Sequence, residues 1–291
     1  MTDIASSVMQ PYRVGDIDIF TIPDGSRTFA FPDGFVRNAD RAQINGALSV
    51  AGMPPNEMTI VFNPVVLRQG GRHILIDTGN GEAANQAPNG PGLLRKNLGV
   101  AGVQPEKIDH VIISHFHGDH INGLLLADGG LAFPEARLSV PEREWAFWTS
   151  EDEIARAKGT GLEAAFANVQ RVLMPLRDRI EQYRWDAEVI PGVTAIGTPG
   201  HTPGHTSLVV SSGKEKLFIQ GDVTNHPALF VPNPGWQLAF DMDPDMAAAT
   251  RRKVYDMLAS ERMPVQGFHY PAPSRGLIER NGDGFKLISL S

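Results

Sequence analysis

The chain predicts an α/β fold in which two mixed β-sheets pack face to face with helices outside. Three observations lead there. The segments "VVLRQGGRHILIDTGNG" (65–81) and "SLVVSSGKEKLFIQGD" (207–222) echo each other as strand, glycine-containing turn, strand and acid-bearing loop. Their second strands, "HILID" and "KLFIQGD", hold unbroken apolar runs, the composition of strands buried on both faces. Helical patterns lie between and after the two halves, which places helices on the outer faces of the sheets.

Taken in order, "PGLLRKNLGVAG" (91–102) reads as the first helix of this kind and "HVII" (110–113) as a buried strand. "PEREWAFWTS" (141–150) and "GLEAAFANVQRVLMPLRDRI" (161–180) read as helices, and "VTAIGT" (193–198) as a strand leading into a Pro/Gly loop. "DPDMAAATRRKVYDMLASE" (243–261) opens with Asp and Pro and continues at helical spacing, the pattern of a capped helix. No Ser/Gly-rich linker or shift of composition divides the chain, so a single domain over 1–291 is expected, with a flexible tail at 1–12.

At 42% hydrophobic and 20% charged, the composition is that of a globular protein. A net charge of -7 without a Lys/Arg run gives no footprint for nucleic acid. The opening "MTDIASSVMQ" lacks the basic and apolar regions of a secretory signal, and no apolar stretch approaches the roughly 20 residues that span a bilayer. A cytoplasmic protein with no membrane partner is therefore expected. With no cysteine in the chain, disulfides, thiolate nucleophiles and thiolate-bound zinc are excluded. Any metal must be held by nitrogen and oxygen.

"SHFHGDH" (114–120) concentrates three of the nine histidines and an aspartate where a strand ends. Residues two apart in extended chain point the same way, so His115 and His117 can face one ion. Asp119 and His120 follow on a turn and can address a neighbouring position. Gly118 is expected to let the backbone pass close to the site. Further ligands stand in loops after other strands: His201 in "TPGHTPGHTS", Asp222 ending "FIQGD", with two oxygens able to bridge two ions, and His269 in "GFHYPAP". Imidazole with carboxylate suits zinc, and manganese, iron or cobalt fit the same donors. A pair of ions partly neutralised by Asp119 and Asp222 retains positive charge, which favours a transition state gaining negative charge. Such a pair also activates a shared water as the attacking group. Asp119 is placed to orient that water or pass a proton to the leaving group. Asp77, at the end of "LIDTG", is of the kind that accepts a ligand histidine's other N–H.

Together these residues resemble the metallo-β-lactamase superfamily, over nearly the whole chain from about Ile17 to Ile288. The resemblance implies an αββα sandwich with a dinuclear site at one edge. It places one metal on His115, His117 and His201, the other on Asp119, His120 and His269, and Asp222 as the bridge. It favours His201 over His205 as ligand, leaving His205 a hydrogen-bonded structural residue. Within the superfamily, "TPGHTPGHTS", "FWTS" and "GFHYPAPSRGLIERNGDGFKLI" look like methyl parathion hydrolase and its lactonase-like relatives.

That likeness implies a dinuclear metal-dependent hydrolase of small, neutral, apolar esters or lactones, using a bridging hydroxide and with phosphotriester hydrolysis as a side activity. Trp148 is expected on the pocket wall because "FWTS" matches a segment that places an aromatic over the leaving group; Phe230, Trp236 and Phe240 are further wall candidates. Asn225 stands three residues after the bridging Asp, where acyl-homoserine lactonases carry a substrate-binding Tyr, and it departs from that pattern. The alternatives are a glyoxalase II-like thioesterase, whose basic C-terminal patch "APSRGLIERNGDG" supplies poorly, and, from another class, a non-catalytic metal-binding scaffold. The apolar loop "LFVPNPGWQLAF" (229–240) suits either a pocket lid or a contact in a homodimer.

Overall fold

The computed structural model describes residues 11–86 and 90–290. Residues 1–10 of the expected tail lie outside the described residues, while Tyr12, its last residue, already starts a strand.

In chain order, β1 (Tyr12–Val14) and β2 (Ile17–Thr21) form a hairpin, and β3 (Gly25–Ala30), α1 (Arg41–Val50) and β4 (Glu57–Phe62) form a ribbon and helix beside it. Next come β5 (Val65–Gln69), β6 (Arg72–Ile76), α2 (Leu94–Val100), β7 (His110–Ile112), the one-turn α3 (Gly118–Ile121) and β8 (Arg137–Pro141). Helices α4 (Glu142–Trp148), α5 (Glu151–Ala157) and α6 (Glu163–Leu173) precede β9 (Ile180–Tyr183), β10 (Glu188–Ile190) and β11 (Val193–Gly197). The second half continues with β12 (Thr206–Ser212), β13 (Glu215–Ile219), α7 (Pro227–Phe230), α8 (Pro244–Glu261), β14 (Val265–Gln266), β15 (Arg275–Asn281) and β16 (Gly284–Ser289).

Two seven-stranded sheets result, ordered β1-β2-β5-β6-β7-β8-β9 and β10-β11-β12-β13-β14-β15-β16. Both are mixed: β6 to β9 pair in parallel, as do β13 and β14, and the remaining pairs are antiparallel. The unbroken apolar runs explain why. On β6, Ile74 and Ile76 point into the core between the sheets, while Leu75 points outward under the helices. The inter-sheet core joins Leu67, Ile74 and Ile112 to Val193, Leu208 and Leu217. Outside one sheet, Leu98, Phe166 and Val169 cover Leu75 and Val111; outside the other, Val254 and Leu258 of α8 cover Phe218 and Val265. This is the αββα sandwich. Leu75 is fully buried on its helix-facing side, so truncating it to Ala would cost about 2–5 kcal/mol.

Local signals set the element ends. Gly70 and Gly71 both have positive φ, as a tight β5–β6 turn requires. Asp243 caps α8 by accepting from the Met246 amide, and Pro244 fills the first helical position. The helix expected across 161–180 stops at Leu173 and tightens into a 3₁₀ turn over Met174–Arg179, because Pro175 lacks the N–H that would continue the ladder. No helix among the described residues is long and apolar enough to cross a membrane. Loops leaving the ends of β6, β7, β11, β13 and β14 meet at one edge of the sandwich.

Candidate metal centre

Beyond β7 the chain bends at Ser114, passes His115 and Phe116 and enters α3 from an extended His117, with Asp119 and His120 on that single helical turn. His115 and His117 bring their rings to 4.8 Å between centroids. The β11–β12 loop supplies His201, whose Nε2 lies 2.9 Å from His117 Nδ1. His115, His117 and His201 thus form one group of ligand-type atoms, and Asp119, His120, Asp222 and His269 a second, with the atoms of each group within 4.8 Å of one another. Asp222 stands between the two: its Oδ2 lies 3.2 Å from His201 Nε2 and 3.1 Å from His269 Nε2.

The donor set fits a pair of cations. Among the described residues, His115 Nε2, His120 Nε2 and Asp222 Oδ1 are buried without a hydrogen-bond partner, and such atoms are costly unless something satisfies them. Burial pushes His115 and His117 well below the usual imidazole range, so both are neutral and free to ligate. A contact from outside the cluster fixes which nitrogen of His120 faces inward. Asp77 Oδ2 accepts from His120 Nδ1 at 2.8 Å and from the Ser114 hydroxyl, while its Oδ1 accepts from the Ser114 amide. Asp77 takes this position with φ of 59°, a backbone conformation rare outside glycine and asparagine-like residues. His205 Nε2 accepts from the Asp222 amide at 2.9 Å, so its proton sits on Nδ1, facing Thr198; burial, with the charge of His201 second, holds this imidazole down to about 3. His205 therefore steadies Asp222 and faces away from the cluster of ligand atoms.

Asp241 and Arg251 complete the site and were not singled out by sequence. Asp241 Oδ1 lies 2.8 Å from His201 Nδ1, and Arg251 Nη2 lies 3.4 Å from Asp241 Oδ2. Asp241 is spelled in "FDMDPD" like its neighbour Asp243, a helix cap, and nothing in the string separates them.

A cavity of about 890 Å³ opens over the cluster. Its floor includes His117, Asp119 and His269, and its walls include Phe29, Ile60, Phe62, Phe147 and Phe240. Asn225 also faces it, with a buried Oδ1 lacking a partner among the described residues. Three expected wall residues fall elsewhere. Trp148 is sealed in the core against Phe166, because one step along α4 turns a side chain about 100° and gives the cavity Phe147 instead. Phe230 is buried under the Arg251 guanidinium, and Trp236 packs on the core formed by α1 and the β3–β4 ribbon. A Cβ at Gly118 would meet the Asn122 amide at 3.0 Å, so that glycine relieves a contact with a neighbouring turn and not with the ligand cluster. The 229–240 loop is tied within the chain, Leu238 bridging to Val36 and Phe240 reaching the cavity.

Residues 63–261 match the metallo-beta-lactamase superfamily. An N-acyl homoserine lactonase of Bacillus cereus is 26% identical over 62% of this chain and 68% of its own length. With further lactonases and metallo-hydrolases the aligned share falls to about half of their length. Among solved structures, AidC, a dizinc quorum-quenching lactonase in complex with a product, superposes with TM-score 0.89 at 26% identity over 97% of both chains. The hydrolase AbOPH of the beta lactamase superfamily superposes with TM-score 0.88 at 25% identity, again over 97% of both.

Proposed function

The chain belongs to the metallo-beta-lactamase superfamily, and from that membership we propose that it is a dinuclear metal-dependent hydrolase of lactones and related apolar esters. The observation that carries this reading is the pair of ligand groups sharing Asp222 at the foot of an aromatic-walled cavity. The dizinc lactonase among its structural relatives and the N-acyl homoserine lactonases among its sequence relatives support it.

His115, His117 and His201 would hold one divalent ion and Asp119, His120 and His269 the other, with Asp222 serving both. Zinc suits these donors best. Such a pair supplies an activated water and polarises the substrate's carbonyl oxygen. The remaining work falls to the chain. Asp119 keeps 24% of its side chain exposed and lines the cavity, so it can carry a proton to the leaving alkoxide. Asp77, Asp241 and His205 hold the ligating groups in fixed orientation. Phe62, Phe147 and Phe240 seat the apolar part of the substrate and exclude water from it.

The deciding experiment compares kcat/KM of zinc-reconstituted protein on an acylated γ-lactone, an aryl ester, an acyl-glutathione thioester and an aryl phosphotriester. Lactone turnover well above the thioester is expected, with the triester slow. A fully metal-loaded protein that opens no lactone and cleaves no ester overturns the proposal.

A further inference from the structure

Outside the ligand cluster, the carboxylate of Glu144 is fully buried on the first turn of α4, and no reaction role is assigned to it. Three donors converge on it. Oε2 accepts from the Phe116 amide at 3.0 Å and from the Trp148 indole at 2.8 Å, and Oε1 accepts from the Gly204 amide at 2.7 Å. Phe116 lies between His115 and His117, and Gly204 lies in the loop that carries His201. One acid therefore ties together the two loops that supply the three-histidine group, although those loops belong to different sheets. The contact at Gly204 is tight: a Cβ there would fall 2.3 Å from the Glu144 backbone nitrogen and 2.6 Å from the Arg143 carbonyl carbon.

We infer that Glu144 is a positioning residue whose two backbone tethers set the spacing of His115 and His117 against His201. A carboxylate is needed because all three partners are donors, and it is an acceptor at both oxygens. A glutamine would turn an NH₂ toward one of the amide donors and release that loop. The Trp148 bond joins two residues of α4 itself and tethers neither loop backbone.

The inference rests on reading the three histidines as metal ligands, and the test separates the two. Zinc affinities of both sites are measured on wild type, Glu144→Gln and Trp148→Phe by equilibrium dialysis against a chelator, with cobalt absorption spectra to show which site changes and thermal melting of the metal-free proteins to show that each is folded. Glu144→Gln should weaken one ion by about 10- to 100-fold, the range for residues that orient metal ligands, and alter the histidine-rich cobalt spectrum, while the second ion and Trp148→Phe stay at wild-type affinity. Should Glu144→Gln fail to fold, Glu144→Asp, which keeps the charge but withdraws it by one methylene, carries the same comparison. Wild-type binding of both ions by the folded variant overturns the inference, as does an equal loss at both sites or an equal loss in Trp148→Phe. Wild type that binds no ion defeats the ligand reading instead.

Discussion

His201 and Asp241 form a buried imidazole–carboxylate pair, Nδ1 to Oδ1 at 2.8 Å, with Arg251 behind the acid. Although burial opposes its charge, hydrogen bonds to Asp222 and Asp241 raise His201 to about 9, so without metal both ring nitrogens carry protons, and a cation would have to displace the one on Nε2, which faces Asp222 in the cluster. Arg251 also donates to the carbonyls of Val223 and Trp236, which leaves it satisfied if the acid is neutralised. Asp241→Asn is accordingly expected to fold and to bind its first zinc about 10- to 100-fold more weakly. Calorimetric titration of the metal-free variant checks this, and an unchanged first affinity would show that the acid does not orient the ligand.

Phe147 and Trp148 are neighbours with opposite environments. Phe147 faces the cavity while its other side packs on Trp148 and Phe166, so Phe147→Ala should raise KM for substrates with apolar arms, leave kcat little changed and destabilise the fold less than the loss of Trp148 does. Trp148 packs on Phe166 with no exposure, so Trp148→Ala should destabilise the fold by about 3–5 kcal/mol. Steady-state kinetics on the first variant and urea unfolding of the second give both readouts. A stable Trp148→Ala with a raised KM would reverse the assignment of the two rings.

His115, His117, Asp119 and His120 are legible in the sequence because the short spacing of "HFHGDH" at a strand end carries them, whereas His201, Asp222 and His269 lie far apart and the preference for His201 over His205 comes from the family resemblance. The two-sheet fold is legible for a similar reason, since doubly buried strands such as "HILI" cannot alternate. What stays hidden is set by packing in three dimensions. Glu144 in "PEREWAF" is spelled like a solvated helix acid, and only the approach of two remote loops makes it a buried acceptor. The aromatic content of α4 is visible, but which ring meets the cavity depends on how the helix is rotated on the sheet. Pro175 was present to mark the end of α6, and the apolar periodicity around it masked that signal.

Asn225 is three residues from Asp222, and its buried Oδ1 has no partner among the described residues while its side chain borders the cavity. A substrate carrying an N–H or O–H near its reacting carbonyl would satisfy that oxygen. Asn225→Ala should lower kcat/KM for an amide-bearing lactone by roughly 2- to 10-fold, the worth of one net hydrogen bond, and leave a lactone without the amide unaffected. Parallel kinetics on the two lactones make the comparison, and equal losses on both would assign Asn225 to packing alone.

His226 stands just before α7 with almost no exposure, and neither ring nitrogen has a partner among the described residues. Burial first, and the positive charge of His269 second, hold it down to about 4. The unfolded chain takes up this proton near pH 6.5, so between pH 6.5 and 4 only the unfolded state is protonated. Stability is therefore unaffected by this group above pH 6.5 and falls as the pH drops toward 4, by about 3 kcal/mol in full. His205, held to about 3, acts in the same direction, so the wild type should lose more than this single share. His226→Leu should remove the His226 share, narrowing the difference in unfolding free energy between pH 7 and pH 4.5 by roughly 2–3 kcal/mol in urea titrations of the metal-free protein. If wild type and variant lose the same amount over that interval, His226 takes up its proton in the folded protein as readily as in the unfolded one, and the buried, partnerless environment assigned to it is wrong.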